Sequence, residues 1–122
     1  MVRNKYRVAP KEDRTWNGRV YASKGEMLYA QRLDLLRSAG EVIEFIEQPR
    51  VALGVPENKY VPDFFVVPVK GLPYYVDVKG METSKFKRDK KLWASYGYVE
   101  LVIVKRYGKG FKVTEKIEGG RS

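Results

Sequence analysis

Between Tyr60 and Gly80 the chain reads YVPDFFVVPVKGLPYYVDVKG, and this stretch constrains the fold more than any other. Phe64-Phe65-Val66-Val67 and Tyr74-Tyr75-Val76 are short runs of β-branched and aromatic residues, joined through Lys70-Gly71-Leu72-Pro73. Two such runs around a turn-forming segment predict a β-hairpin. Asp63 opens the first strand, and Asp77 and Lys79 close the second with Val78 between them. Side chains alternate along a strand, so Asp77 and Lys79 share a face. In an antiparallel hairpin the start of the first strand lies beside the end of the second. The pattern therefore predicts Asp63 next to Asp77, so that a pair of carboxylates and an ammonium converge at one end of a sheet. Strands often end in charged residues, but this convergence, in a strongly basic chain, points to a site.

What the chain lacks narrows the chemistry of such a site. Its 122 residues predict a single domain with a real core and little room for a second module. It has no signal peptide and no apolar run of about 18 residues, so it is expected to be soluble and not exported. With no cysteine there is no disulfide framework, thiol nucleophile or thiolate zinc site. With no histidine there is no imidazole base or ligand. A site must then be built from carboxylates, lysines, arginines, hydroxyls and amides, and hard oxygen ligands suit Mg²⁺, with Mn²⁺ able to substitute. The formal net charge of +9 makes nucleic acid the first candidate partner.

The rest of the chain can be read in order. Residues 1–18 are polar and basic and are expected to form an arm, with a short strand at Tyr6-Arg7-Val8 and a turn at Asn17-Gly18. A single domain is expected over residues 19–117, and a loose tail over 118–122. Ser23-Lys24-Gly25-Glu26 matches a capping box, which predicts a helix from Ser23 to about Ala39 with Gly40 as its stop. Tyr29, Leu33 and Leu36 form its buried stripe, flanked by Leu28, Leu35 and Ala39. Glu26 is seven residues before Leu33, about 20° away on the helical wheel, at the rim of that stripe. It reads equally well as a cap and as a group aimed at the sheet end. Arg32 interrupts the apolar side. Glu41 to Leu53 predicts a strand through Gln48, a bend at Pro49 and a continuation to Leu53. A second helix is predicted from Thr83 or Ser84 to Tyr96, with Phe86, Leu92, Trp93 and Tyr96 inward and Lys85, Lys87, Arg88, Lys90 and Lys91 outward. That charge run places positive potential where a phosphate backbone would lie. Val99–Val104 reads as a buried strand, and Tyr107–Lys116 as a final hairpin or edge strand.

Glu26 on a helix, Val61-Pro62-Asp63 opening a strand and Asp77-Val78-Lys79 closing the next resemble the PD-(D/E)XK nuclease superfamily, over Ser23 to about Val104. The resemblance implies an α/β fold with a mixed central β-sheet flanked by helices, a restriction-endonuclease-like core. The spacing resembles two groups of small enzymes: archaeal-type Holliday junction resolvases, in the Lys24-Gly25 segment, and phage-encoded endonucleases, in Ser23 to Glu26 and Gln48-Pro49. Glu26 stands two places from the resolvase position. Carried over by residue, Asp63 and Asp77 would hold the metal with Glu26 completing its environment, and Lys79 would orient the attacking water. Ser23 and Gln48 are accessory candidates, and Lys24, Arg32, Lys85, Lys87, Arg88 and Lys91 are candidates for DNA contacts.

The chemistry fits the residues. A metal ion lowers the pKa of bound water and neutralises charge on a phosphodiester, and a nearby lysine can stabilise the hydroxide. The expected function is a Mg²⁺-dependent, structure-selective DNA endonuclease, most concretely a Holliday junction resolvase acting as a homodimer on branched DNA. Its expected setting is the cytoplasm of a prokaryote, or of the host if phage-encoded. A sequence-, mismatch- or replication-linked nuclease of the same fold, and a non-catalytic basic nucleic-acid-binding protein, remain alternatives.

Overall fold

The computed structural model describes residues 8–121. Tyr6 and Arg7 of the expected N-terminal strand lie outside the described residues. From Lys11 onward the expected arm is built structure. A 3-10 turn at Lys11–Arg14 leads into a small hairpin of β1 (Thr15–Trp16) and β2 (Arg19–Val20). Asn17 and Gly18 both have positive φ, 53° and 76°, which is the twist a two-residue hairpin turn requires. Tyr21 then enters the core, and its hydroxyl donates to Glu47 at 3.0 Å. The apolar anchors Trp16 and Tyr21 are what hold this segment, against the reading from its charge alone.

Helix α1 spans Lys24–Ser38. Ser23 caps it, its hydroxyl accepting from the Glu26 N–H at 3.1 Å. At the other end Gly40 adopts φ 80°, and the Gly40 and Glu41 amides donate to Arg37 and Leu36, the paired bonds of a Schellman stop. Tyr29 and Leu33 are buried as expected and Leu36 is half-buried, whereas Ala39 is exposed and Leu35 is 71% exposed; Ala30 is buried beside them.

The main sheet has five strands in the order β3-β6-β7-β8-β9. These are β3 (Val42–Glu47), β6 (Phe64–Pro68), β7 (Tyr74–Val78), β8 (Leu101–Tyr107) and β9 (Gly110–Ile117). Helix α2 (Ser84–Tyr96) joins β7 to β8, which run parallel; the other pairings are antiparallel. The chain is thus an α/β protein with a mixed sheet. Alternation along the strands feeds a core on each face. Val102 and Val104 pack with Phe64, Val66, Val76 and the α1 stripe, while Leu101 and Ile103 pack with Phe86 and Trp93 of α2. Tyr96, expected inward, is 42% exposed, because Gly97 turns the chain away directly after it.

The long strand expected through Leu53 is divided. Gln48 has φ 50° and ends β3, and Val51–Ala52 form β4, which pairs with β5 (Lys59–Tyr60) in a separate sheet. Val51, Leu53 and Tyr60 close over Trp93 and Phe86, so burial against α2 decides where this segment goes.

Candidate active site

The hairpin of β6 and β7 pairs Phe64 with Val76, which brings the next residues, Asp63 and Asp77, together at the sheet end. They interlock through the backbone. The Asp63 N–H donates to Asp77 Oδ1 at 3.1 Å, and the Val78 N–H donates to Asp63 Oδ2 at 2.7 Å. Asp63 is partly buried and Asp77 is 1% exposed. The second Asp77 oxygen, Oδ2, is buried without a hydrogen-bond partner among the described residues. Its neighbour is Lys79 Nζ at 3.7 Å, too far for a hydrogen bond but an ion pair. Lys79 shares the face of Asp77 as alternation requires, and its ammonium stands over the Phe86 ring at 4.3 Å from the centroid.

Glu26 completes the group from α1. It is 7% exposed, and one carboxylate oxygen accepts from the Ala22 N–H at 3.1 Å. The capping box therefore closes one residue earlier than the usual partner, Ser23 itself. The same carboxylate stands close enough to Asp63 to raise its carboxyl. Gly25 is what lets the helix start so close: a Cβ there would stand 3.2 Å from Val78 Cγ1 and 3.5 Å from Arg106 Cδ.

The electrostatics follow from burial. Desolvation raises the Asp77 carboxyl to about 7, with Glu26 adding to the rise and Lys79 and the Asp63 N–H opposing it. Asp63 is pushed well above the usual carboxylate range, first by burial and then by the Glu26 carboxylate. Both carboxyls therefore hold a proton more tightly than an exposed carboxyl does, and a cation beside them would favour the ionised form. No group of three or more Asp, Glu, His or Cys side chains is spaced to enclose a metal ion among the described residues. Glu26, Asp63 and Asp77 each turn one oxygen to a backbone N–H.

A groove of about 780 Å³ opens beside Lys79, between the first turn of α1, the start of α2 at Thr83 and the ends of β7 and β8. Lys24, Lys79, Lys105 and Arg106 line it. Lys105 and Arg106 were not singled out by the sequence. They follow the Leu101–Val104 run, and the parallel pairing of β7 with β8 puts them at the same sheet end as Lys79.

A family description reading "Protein of unknown function (DUF1064)" matches residues 3–112. The chain belongs to the DUF1064 family. No curated protein and no solved structure matches it.

In this DUF1064 chain the other sequence candidates separate by position. Ser23 lines the groove, with its hydroxyl used as the helix cap. Gln48 is exposed and outside the strand, but its N–H donates to the Asp63 carbonyl at 2.9 Å, so its backbone fixes the residue before β6. Lys24, Lys87 and Lys91 are exposed and form no ion pair among the described residues. Lys85 is instead paired with the buried Asp89 at 2.9 Å, and Arg88 donates to Asn58 Oδ1 at 3.1 Å. Lys90 is tied to Glu82 and Glu115. The α2 charge run is therefore only partly free for an anion. Arg32 lies in a second groove, between α1 and β9. No helix among the described residues is long and apolar enough to cross a membrane.

Proposed function

We propose that this chain is a divalent-metal-dependent DNA endonuclease with a PD-(D/E)XK centre and a restriction-endonuclease-like core. Its most concrete form is a structure-selective enzyme that resolves four-way DNA junctions as a homodimer. The observation that carries the reading is the interlocked Asp63–Asp77 pair, with a buried, unpartnered Asp77 oxygen facing the Lys79 ammonium at 3.7 Å. A structural ion pair would close that distance and satisfy the oxygen.

The chemistry of the donors, all carboxylate oxygens, suits a hard cation. Asp77 Oδ2 is a desolvated oxygen with no hydrogen bond, ion-paired only to Lys79 at 3.7 Å, and Asp63 stands beside it. Asp63 and Asp77 would hold Mg²⁺ or Mn²⁺, with Glu26 contributing from beside Asp63 and waters filling the remaining positions. When bound, the ion supplies charge neutralisation at the phosphate and a more acidic water. The protein residues divide the remaining work. Lys79, held over Phe86, would orient the attacking water and stabilise its negative charge as its proton passes to solvent; the water oxygen bonds to phosphorus as the P–O bond to the leaving strand breaks, and solvent protonates the leaving oxygen. Lys24, Lys105 and Arg106 hold the phosphates on either side of the cut strand. Glu26 keeps negative charge beside Asp63, which favours cation over empty site.

The homodimer follows from the reaction: junction resolution needs paired nicks, and the chain has one such centre. A C₂ pair supplies both with one interface. The surface offered is the outer face of β3 that α2 leaves open, where Ile43 and Ile46 are 59% and 53% exposed.

The test compares a four-way junction, linear duplex and supercoiled plasmid at equal concentration with Mg²⁺, Mn²⁺ or EDTA, alongside light scattering of the free protein. Metal-dependent junction cutting by a species of twice the monomer mass is expected. Equal cutting of duplex by a monomer leaves a general nuclease, and binding of all substrates with no cutting leaves a non-catalytic binding protein.

A further inference from the structure

A second groove of about 410 Å³ runs between α1 and the β8–β9 turn, and Arg106 lines both. The two grooves therefore adjoin at Arg106. Val104 pairs with Val78, so Arg106 lies about 7 Å further along the strand, roughly two stacked nucleotide steps from that level.

The second groove has an unusual lining for a protein surface. Leu28, Leu35 and Phe111 form apolar walls, and Arg32, Arg106 and Lys109 stand among them. Leu35 is left 71% exposed on a helix whose other large apolar residues are largely covered. The Phe111 ring is held edge-on to Tyr29, centroids 5.0 Å apart, so its orientation is fixed before any ligand arrives. None of these cations has an ion-pair partner among the described residues. The site thus offers free positive charge and a rigid aromatic wall in one place.

Duplex DNA satisfies only half of that offer, because its phosphates face out while its bases stay stacked inside. Unpaired nucleotides satisfy both halves, with phosphates for the cations and a bare base face for the ring. An acidic amphipathic peptide has similar chemistry, but nothing would then account for the Arg106 wall shared with the groove at Lys79.

The geometry points to a binding site for unpaired nucleotides. This inference rests on the nuclease reading above: a strand whose scissile phosphate lies at Asp63 and Asp77 continues past Arg106 into the second groove. There its bases rest against Phe111 and the leucines, and its phosphates against Arg32 and Lys109. The substrate class is DNA with single-stranded nucleotides next to a duplex, such as a fork, a flap or an opened junction.

The test measures binding in EDTA, where no cutting competes, to a blunt duplex and to the same duplex with a single-stranded extension carrying 2-aminopurine. The expected result is at least tenfold tighter binding of the extended DNA, with 2-aminopurine fluorescence quenched by stacking. The double variant Arg32→Ala/Lys109→Ala changes only exposed side chains, and should bring the affinity ratio toward one. Phe111→Leu keeps apolar volume and should restore the fluorescence and weaken extended-DNA binding about tenfold. Equal wild-type affinity for the two DNAs overturns the inference. So does an undiminished preference in the double variant, whether or not Phe111→Leu folds, or an acidic peptide that competes while extended DNA does not. Because binding is read without metal, a preference that persists with no cleavage under Mg²⁺ rejects only the nuclease reading. Cleavage without the preference rejects only this site.

Discussion

Replacing Asp77 with asparagine should make the metal-free protein more stable at pH 8. Burial raises this carboxyl from 3.8 to about 7. Below about pH 4 the folded and unfolded chains both carry the proton, and nothing is lost. Between about pH 4 and 7 the unfolded chain ionises first, so stability falls as pH rises, and above 7 the loss is complete. About 3 pKa units at 1.36 kcal/mol each make that loss about 4 kcal/mol. Asparagine cannot ionise, and its carbonyl still accepts the Asp63 N–H. Its amide nitrogen takes the place of an oxygen that has no partner, and leaving it unsatisfied costs about 1–3 kcal/mol. The net gain at pH 8 is therefore about 1–3 kcal/mol, or about 4–12 °C in Tm at roughly 4 °C per kcal/mol for a domain of this size. Urea unfolding of wild type and Asp77→Asn in EDTA, followed by circular dichroism between pH 4.5 and 8, gives the difference curve. It should rise with pH. A variant less stable than wild type at pH 8, or a difference independent of pH, would refute the reasoning that this charge is held against the interests of the fold.

Related outcomes follow from the same site. Mg²⁺ at pH 8 should raise the wild-type Tm by the binding linkage and leave Asp77→Asn unmoved, as read by thermal melts across a metal titration. Glu26→Gln keeps the acceptor for the Ala22 N–H, so its melting temperature should change little. It removes the charge beside Asp63, and DNA cleavage should fall by orders of magnitude; lost stability with undiminished cleavage per folded molecule would leave Glu26 as a cap alone. Gly25→Val places atoms beyond a Cβ position already 3.2 Å from Val78, so it should lower both cleavage and Tm by moving the first turn of α1. Retention of both would mean that the close approach is not needed.

The parts of this structure that were legible in sequence are those decided locally. Ser23, Glu26 and Gly40 mark the ends of α1 because cap chemistry needs particular residues at particular offsets. The meeting of Asp63 with Asp77, and of Asp77 with Lys79, follows from hairpin pairing and the two-residue period of a strand. The parts that were not legible depend on distant partners. The bend at Pro49 was legible, but the pairing of β4 with β5 was not, because Val51, Leu53 and Tyr60 find their place on Trp93, which no local pattern announces. Lys105 and Arg106 reach the groove only because β8 runs parallel to β7 after the α2 crossover. Lys85 reads as a solvated cation until Asp89 is seen to be buried beneath it at 4% exposure. The N-terminal segment was masked by its charge, although Trp16 and Tyr21 anchor it to the core.

The most direct measurement is single-turnover cleavage of an end-labelled four-way junction in Mg²⁺ by wild type and by Asp77→Asn, with binding of the same junction measured in parallel. Wild type should introduce paired nicks that EDTA abolishes. Asp77→Asn should bind the junction as tightly or more tightly, since a negative charge near the phosphate is gone, and cut nothing. Wild-type cleavage rates in Asp77→Asn, or a folded wild-type protein that binds DNA and cuts none of it with Mg²⁺ or Mn²⁺, would contradict the assignment of Asp63, Asp77 and Lys79 as a nuclease centre.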